Sequence, residues 1–229
     1  MNSTRRISIA TGALFVVATV AALVAAALVP TLTGTDYLPR VANHPNQLAA
    51  SALAYLIAAG TSVGTAIVLY PLLKKTNVAL ALGSVVFRTI EAVFYTAAVV
   101  TLLSITTLGQ QLATAPAATR APIQTMADYA LSVRDHSTLA AVFAFSVGTL
   151  MYSVVFYRSR LVPRWLSAWG IAAAVLMMTG CLLSLFSNNP VTGYTPLSCP
   201  SPSRKWSSPS GSWQEAWRIQ VVNATGRPD

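Results

Sequence analysis

The chain has little charge and very little acid: of 229 residues, 15 are Lys or Arg and only 6 are Asp or Glu. A charged fraction of 9% beside 54% hydrophobic residues is far below the roughly 25% charged residues of a soluble domain. Cysteine is nearly absent too. Cys181 and Cys199 are the only two, which gives neither a disulfide framework nor a metal-ligand spacing. Histidine is limited to His44 and His136, both between apolar runs. The adjacent Asp135 and His136 make no catalytic dyad without a nucleophile set against them. No HExxH zinc motif or Walker-type phosphate loop occurs, and the residues call for no cofactor and no metal. The net charge of +9 does not signal nucleic acid either. The basic residues sit in short clusters between apolar runs rather than on one patch, where they read as orientation signals.

What the chain has in quantity is long apolar runs. A helix needs about 20 apolar residues to cross the hydrocarbon core of a bilayer, and five segments qualify: 7–29, 48–70, 78–103, 138–157 and 165–186. The first follows Arg5 and Arg6 and contains Ala25-Ala26-Ala27, which imitates a leader's cleavage site. It is longer than the 7–15 residues or so of a leader's apolar core, so it is expected to stay as a helix. Pro71 and Pro163 fall just outside the expected helix boundaries, where a missing N–H does little harm. Tyr70, Tyr152, Tyr157, Trp165 and Trp169 fall near span ends, as expected of rings at headgroup level. Between the third and fourth spans, residues 108–137 form a long loop. In it Ile123, Met126, Ala130 and Val133 recur at helical spacing, predicting a short helix on the outer surface.

The connections set the orientation. Arg5, Arg6, Lys74, Lys75, Arg158, Arg160 and Arg164 lie on one side. Arg40, Arg120 and Arg134 lie on the other, diluted by Asp36, Asp128 and Asp135. The excess of basic residues places the N-terminus in the cytoplasm. Gly60 and Gly64 give a small-xxx-small spacing in the second span, and Gly170 with Ala174 repeats it in the fifth. Such faces let helix backbones approach closely within one bundle, or against a second copy or another membrane protein.

Residues 1–189 thus read as a transmembrane helical domain, and 190–229 as something else. Between residues 195 and 213 there are seven serines and four prolines without period, the composition of a disordered tail. The genetic code offers a second reading. In the frame that begins at the third base of each codon, serine codons of the TCN type become NTC, which encodes only Phe, Leu, Ile or Val. Proline codons become NCC, giving Ser, Pro, Thr or Ala. With suitable synonymous codons residues 196–217 become an apolar run long enough to span, and the codon falling at Lys205 becomes NAA (Glu, Gln, Lys or stop). The tail is therefore expected to be disordered and out of frame, standing where a sixth span belongs. If its serines are of the AGY type, the pattern breaks.

Inside the apolar runs the chemically unusual feature is Arg88 with Glu91, about ten and thirteen residues into the third span. Each charge costs roughly 2.5–3.5 kcal/mol at the centre of an isolated membrane helix. Positions three apart share a face, so a mutual salt bridge is the simplest compensation. With Arg preceding Glu, the order is the less favourable one within a helix, which leaves room for partners on other helices. The pair is either an element of helix packing or a substrate, proton or ion site.

Three segments carry a family resemblance: MNSTRRISIATGALFVVATVAAL at the start, VLYPLLKKTNVALALGSVVFRTIEAV from Val68 to Val93, and YRSRLVPRWLSAWG from Tyr157 to Gly170. They resemble the domain of unknown function 4386 family over roughly residues 1–190. The resemblance implies a bacterial multi-pass membrane protein of about six helices, and it implies no activity, cofactor or binding residue. The expectation is an all-α polytopic transmembrane helical bundle in the cell membrane, with five spans in the chain as written and six in an intact form. Its partner is the lipid bilayer. A non-enzymatic role, as a transporter-like bundle or an accessory subunit, is expected. The alternative is an intramembrane enzyme acting on lipid or peptide through Glu91 and Arg88.

Overall fold

Helices form where the apolar runs predict them, and they run further than the runs do. The structure, a computed structural model, describes residues 3–30, 32, 36–160 and 162–187; the expectations for the tail lie outside these. Among the described residues the elements are α1 Ser3–Leu28, α2 Tyr37–Asn43, α3 Pro45–Leu73, α4 Val78–Thr114, α5 Ala117–Ser159 and α6 Arg164–Ser187. All except α2 are long and apolar enough to cross a membrane. Their starts follow local rules. The Asn77 side chain accepts a hydrogen bond from the Leu80 N–H at 3.0 Å, capping α4. Pro45 occupies the first turn of α3, where its missing N–H is no loss.

Two expectations about the connections need correction. Residues 108–137 are not a long loop carrying a short separate helix. α4 continues to Thr114 and α5 begins at Ala117, so only Ala115 and Pro116 interrupt the helices. The helical spacing detected around Ile123 belongs to the first turns of α5, where Ala127 is fully buried against Tyr37, Leu38 and Val41 of α2. Pro71 lies inside the last turn of α3 rather than beyond it. So near the helix end, a proline deletes a single backbone bond and the helix closes through Lys74 N–H to Tyr70 C=O at 3.0 Å.

The surface is turned inside out relative to a soluble protein. Phe15, Leu23, Val93, Leu176 and Phe186 point outward, while Ser62, Ser84, Arg88, Glu91 and Ser146 are buried. That arrangement suits hydrocarbon outside and polar satisfaction inside. The chain is a multi-pass membrane protein, all-α, whose outer face fits a lipid bilayer. Hydroxyls on outward faces are held by their own helix, as with Thr89 to Val85 C=O at 2.9 Å and Thr96 to Ala92 C=O at 2.8 Å.

The neighbours along the bundle run α1, α3, α4, α5, α6, with α2 seated on α4. Two apolar clusters close the ends of the inner helices. Tyr37, Leu38, Leu48, Leu102 and Ile105 pack at the end that carries α2. Leu69, Leu73, Ala81 and Val155 pack at the other. At the α2 end the last carbonyls of α1 are met by α3: Ser51 donates to Ala25 C=O and Gln47 to Leu28 C=O, each at 2.9 Å.

Candidate functional site

Between the two apolar clusters lies a polar layer centred on Arg88. Arg88 and Glu91 are three residues apart on α4 and form an ion pair at 3.0 Å between Nη1 and Oε2. Both are buried, with 7% and 3% of their surface exposed. The guanidinium reaches beyond its own helix. Nη1 also donates to Ser62 Oγ on α3 at 2.9 Å. Nη2 donates to Thr149 Oγ1 and Tyr152 OH on α5, both at 3.1 Å. The Phe145 ring lies 4.3 Å from the guanidinium carbon, within cation–π range. Ser62 links the two charges: it accepts from Arg88 and its own O–H lies 3.3 Å from each Glu91 carboxylate oxygen. One cation thus ties three helices together, and charge-assisted bonds of this kind are about twice as strong as neutral ones.

Close approach of the backbones makes that reach possible. A Cβ on Gly148 would meet Phe87 Cβ at 3.4 Å and Arg88 Cγ at 3.6 Å, so α5 passes directly beside the arginine stem. Of the residues with small-residue spacing, Gly64 faces Leu14 of α1 at 3.6 Å and Gly170 faces Ser153 of α5 at 3.0 Å. Ala174 is buried, whereas a Cβ on Gly60 would meet nothing within 4 Å. These four residues do not converge on the charged pair. The residue that does is Ser62, between Gly60 and Gly64.

Gly60-Thr61-Ser62-Val63-Gly64, taken above only for its small-residue spacing, also spells G-x-S-x-G. In hydrolases that pattern works at a strained strand-to-helix turn that exposes the serine and frees backbone N–H groups for an oxyanion. Here it lies in the interior of α3, where N–H groups are engaged along the helix, and its serine is buried between Arg88 and Glu91.

Tyr152 was expected at a membrane interface and turns inward to Arg88 instead. The signal was present in the sequence: Ser146, Thr149, Tyr152 and Ser153 recur at three and four residues along an apolar span, a polar stripe on one helix face. The histidines stay apart from the site. His44 joins α2 to α3, and His136 Nδ1 lies 2.7 Å from Ser132 C=O in its own helix. Asp135 pairs with Arg134 at 3.0 Å. Among the described residues no three His, Cys, Asp or Glu side chains gather as a metal site would require.

A cleft of about 450 Å³ leads to the layer between α1, α3 and α5. Its walls are mostly apolar, with Phe15, Leu69 and Phe156 among them, and Arg88 and Tyr152 also line it. Glu91 and Ser62 are not among its lining residues.

Comparison with known proteins yields one finding. Neither the curated proteins nor the solved structures contain a match to this chain. The model of the family described as domain of unknown function (DUF4386) matches residues 10–201, and with most of its length covered the chain belongs to that family.

Proposed function

We propose that the chain is a non-enzymatic membrane bundle, transporter-like or an accessory subunit, in which Arg88 and Glu91 lock α3, α4 and α5 into one register. It sits in the bacterial cell membrane with its N-terminus in the cytoplasm. The observation that supports this reading is where the bonds of the pair go. Both charges are engaged by each other and by side chains of the protein, and the carboxylate does not line the cleft. Removing one partner of a buried pair leaves an uncompensated charge, while removing both is often close to neutral. Glu91→Gln is therefore expected to lower the yield of folded protein from detergent well below that of the double change Arg88→Met with Glu91→Leu. Equal yields for the single variant and the wild type would remove the pair as a structural element.

The enzymatic alternative has one feature in its favour, the serine of G-x-S-x-G beside a carboxylate. An active serine labels with a fluorophosphonate. The proposed reading expects no label on the purified wild type. Labelling that disappears in Ser62→Ala, in protein that remains folded, would overturn it in favour of a serine hydrolase.

A further inference from the structure

The cleft between α1 and α5 is mostly apolar, yet two hydroxyls on its facing walls have hydrogen-bonding capacity left over. The less exposed stripe of α1 includes Thr11, Leu14, Ala18 and Ala25, its neighbour is α3, and Thr11 also lines the cleft. The Thr11 hydroxyl is buried and has no hydrogen-bond partner among the described residues. On the opposite wall, the Tyr152 oxygen accepts from Arg88 Nη2 at 3.1 Å. A phenol can accept and donate at once, and no described residue takes the Tyr152 proton. The bond from the guanidinium polarises that O–H into a better donor. Hydrocarbon offers neither hydroxyl a partner, and a hydrogen bond left unmade in a buried site costs free energy.

The two hydroxyls stand at one level. Thr11 is four residues after the start of the apolar run 7–29, and Tyr152 is five before the end of the run 138–157. Those are about 6 and 7.5 Å of helix, and alternation of the spans puts both ends on the same side. The charges nearby are already engaged: Arg88 bonds Glu91, Ser62 and Thr149 as well as Tyr152, and Glu91 does not line the cleft. The site therefore selects uncharged acceptor oxygens, since an anion would bring a charge that nothing there neutralises. Depth adds a second restriction. The ester carbonyls of a phospholipid sit in the interfacial region, outside the hydrocarbon core of about 30 Å, whereas these hydroxyls lie inside it. A volume of about 450 Å³ walled by Phe15, Leu69 and Phe156 suits an apolar body with few polar atoms. A flat ring with carbonyls on opposite edges and an apolar tail meets each condition.

We propose that this cleft binds an isoprenoid quinone of the membrane, with the Tyr152 and Thr11 hydroxyls donating to its two carbonyls and its tail leaving between α1 and α5 into the bilayer. Arg88 keeps its bonds to α3, α4 and α5 and acts on the ligand only through the Tyr152 hydroxyl. The inference is independent of whether the bundle transports or accompanies another protein.

The test uses the full chain, purified in detergent and freed of bound lipid. It is titrated by equilibrium dialysis with a ubiquinone and with a menaquinone, each carrying a two-isoprene tail. At least one quinone is expected to saturate at one molecule per chain and to raise Tm by several degrees. Thr11→Val keeps the side-chain shape and deletes the hydroxyl. It is expected to bind at least about fivefold more weakly, the loss of one hydrogen bond. Without quinone it should unfold no lower than the wild type, because an unpaired buried hydroxyl is gone. Tyr152→Phe is expected to weaken binding at least as much, so the test stands should Thr11→Val fail to fold. Saturation by neither quinone, or wild-type affinity in either variant, overturns the proposal. A lower Tm of quinone-free Thr11→Val does so too, since the hydroxyl would then have a partner in the protein. Dioleoylglycerol, oleic acid or phosphatidylglycerol bound as tightly, with the same dependence on Thr11, would overturn it by making the cleft a site for acyl lipids.

Discussion

At the scale of single residues, the layer around Arg88 shows how a charge is tolerated in hydrocarbon: by distribution over several modest partners. Tyr152 contributes twice, through its OH at 3.1 Å and through its ring, 5.5 Å from the guanidinium carbon. Tyr152→Phe removes the first contribution and keeps the second. We expect a loss of about 1 kcal/mol, within the range for hydrogen bonds between membrane helices, read as a small fall in detergent Tm. A loss as large as that of Glu91→Gln would mean that the Tyr152 hydroxyl, not the pair, organises the layer. A second residue outside the spans carries a pH dependence. Tyr37 on α2 is buried and donates to Asp128 Oδ1 on α5 at 2.8 Å. Burial first, then the bond to Asp128 and its negative charge, pushes the phenol above its ordinary value of 10.0. The folded state thus holds the phenolic proton more tightly than the unfolded chain. Its stabilisation is fully present below about pH 10 and is lost as pH rises from there towards the folded-state value. Thermal unfolding between about pH 9 and 11 should fall more steeply for the wild type than for Tyr37→Phe. Parallel curves would show that the phenol does not titrate with folding.

At the scale of elements, close approach is specific to particular glycines. A Cβ on Gly109 would lie 2.9 Å from the Leu38 carbonyl oxygen of α2, and a backbone atom has no rotamer by which to yield. Gly109→Ala is expected to push α2 off α4 and cost about 1–3 kcal/mol, as overpacking does. Gly60→Ala, facing open space, should leave Tm unchanged. If both variants unfold alike, the α2–α4 contact is not as tight as described. The same elements show what the sequence made legible. Span length and hydropathy marked the five long helices because the bilayer imposes both. The extension of α4 and α5 beyond the apolar runs was not legible, since Gln110, Gln111 and Asp128 lower hydropathy without weakening a helix. α2 escaped notice for a related reason: a seven-residue helix carries too few turns for a periodic signal. At the site, the charged pair stood out by scarcity. Its partner Ser62 on α3 did not, because a hydroxyl in an apolar helix looks the same whether it bonds its own backbone, as Thr65 does at 2.8 Å, or a neighbour's arginine.

For the whole molecule, the question with functional consequence is which leaflet the Arg88 cleft opens towards. Its outer rim is made by Ile7, Leu72 and Val162, which belong to the start of α1, the end of α3 and the turn after α5. Alternation of the spans puts all three at one end of the bundle. That end carries Lys74 and Lys75 after α3 and Arg158, Arg160 and Arg164 between α5 and α6, whereas Asp36 and Asp128 lie at the other. Moving such a basic cluster across a membrane is disfavoured during insertion, so the rim is expected to face the cytoplasmic leaflet. Cysteine labelling decides it, in a chain whose Cys181 and Cys199 are first replaced. Thr76 in the α3–α4 turn and Ala118 in the first turn of α5 are both exposed and lie at opposite ends. With a membrane-impermeant maleimide on intact cells, Ala118→Cys should label at once and Thr76→Cys only after permeabilisation. The opposite pattern would invert the bundle and open the cleft to the outer leaflet. A substrate or partner approaching Arg88 would then have to come from outside the cell rather than from the cytoplasmic side.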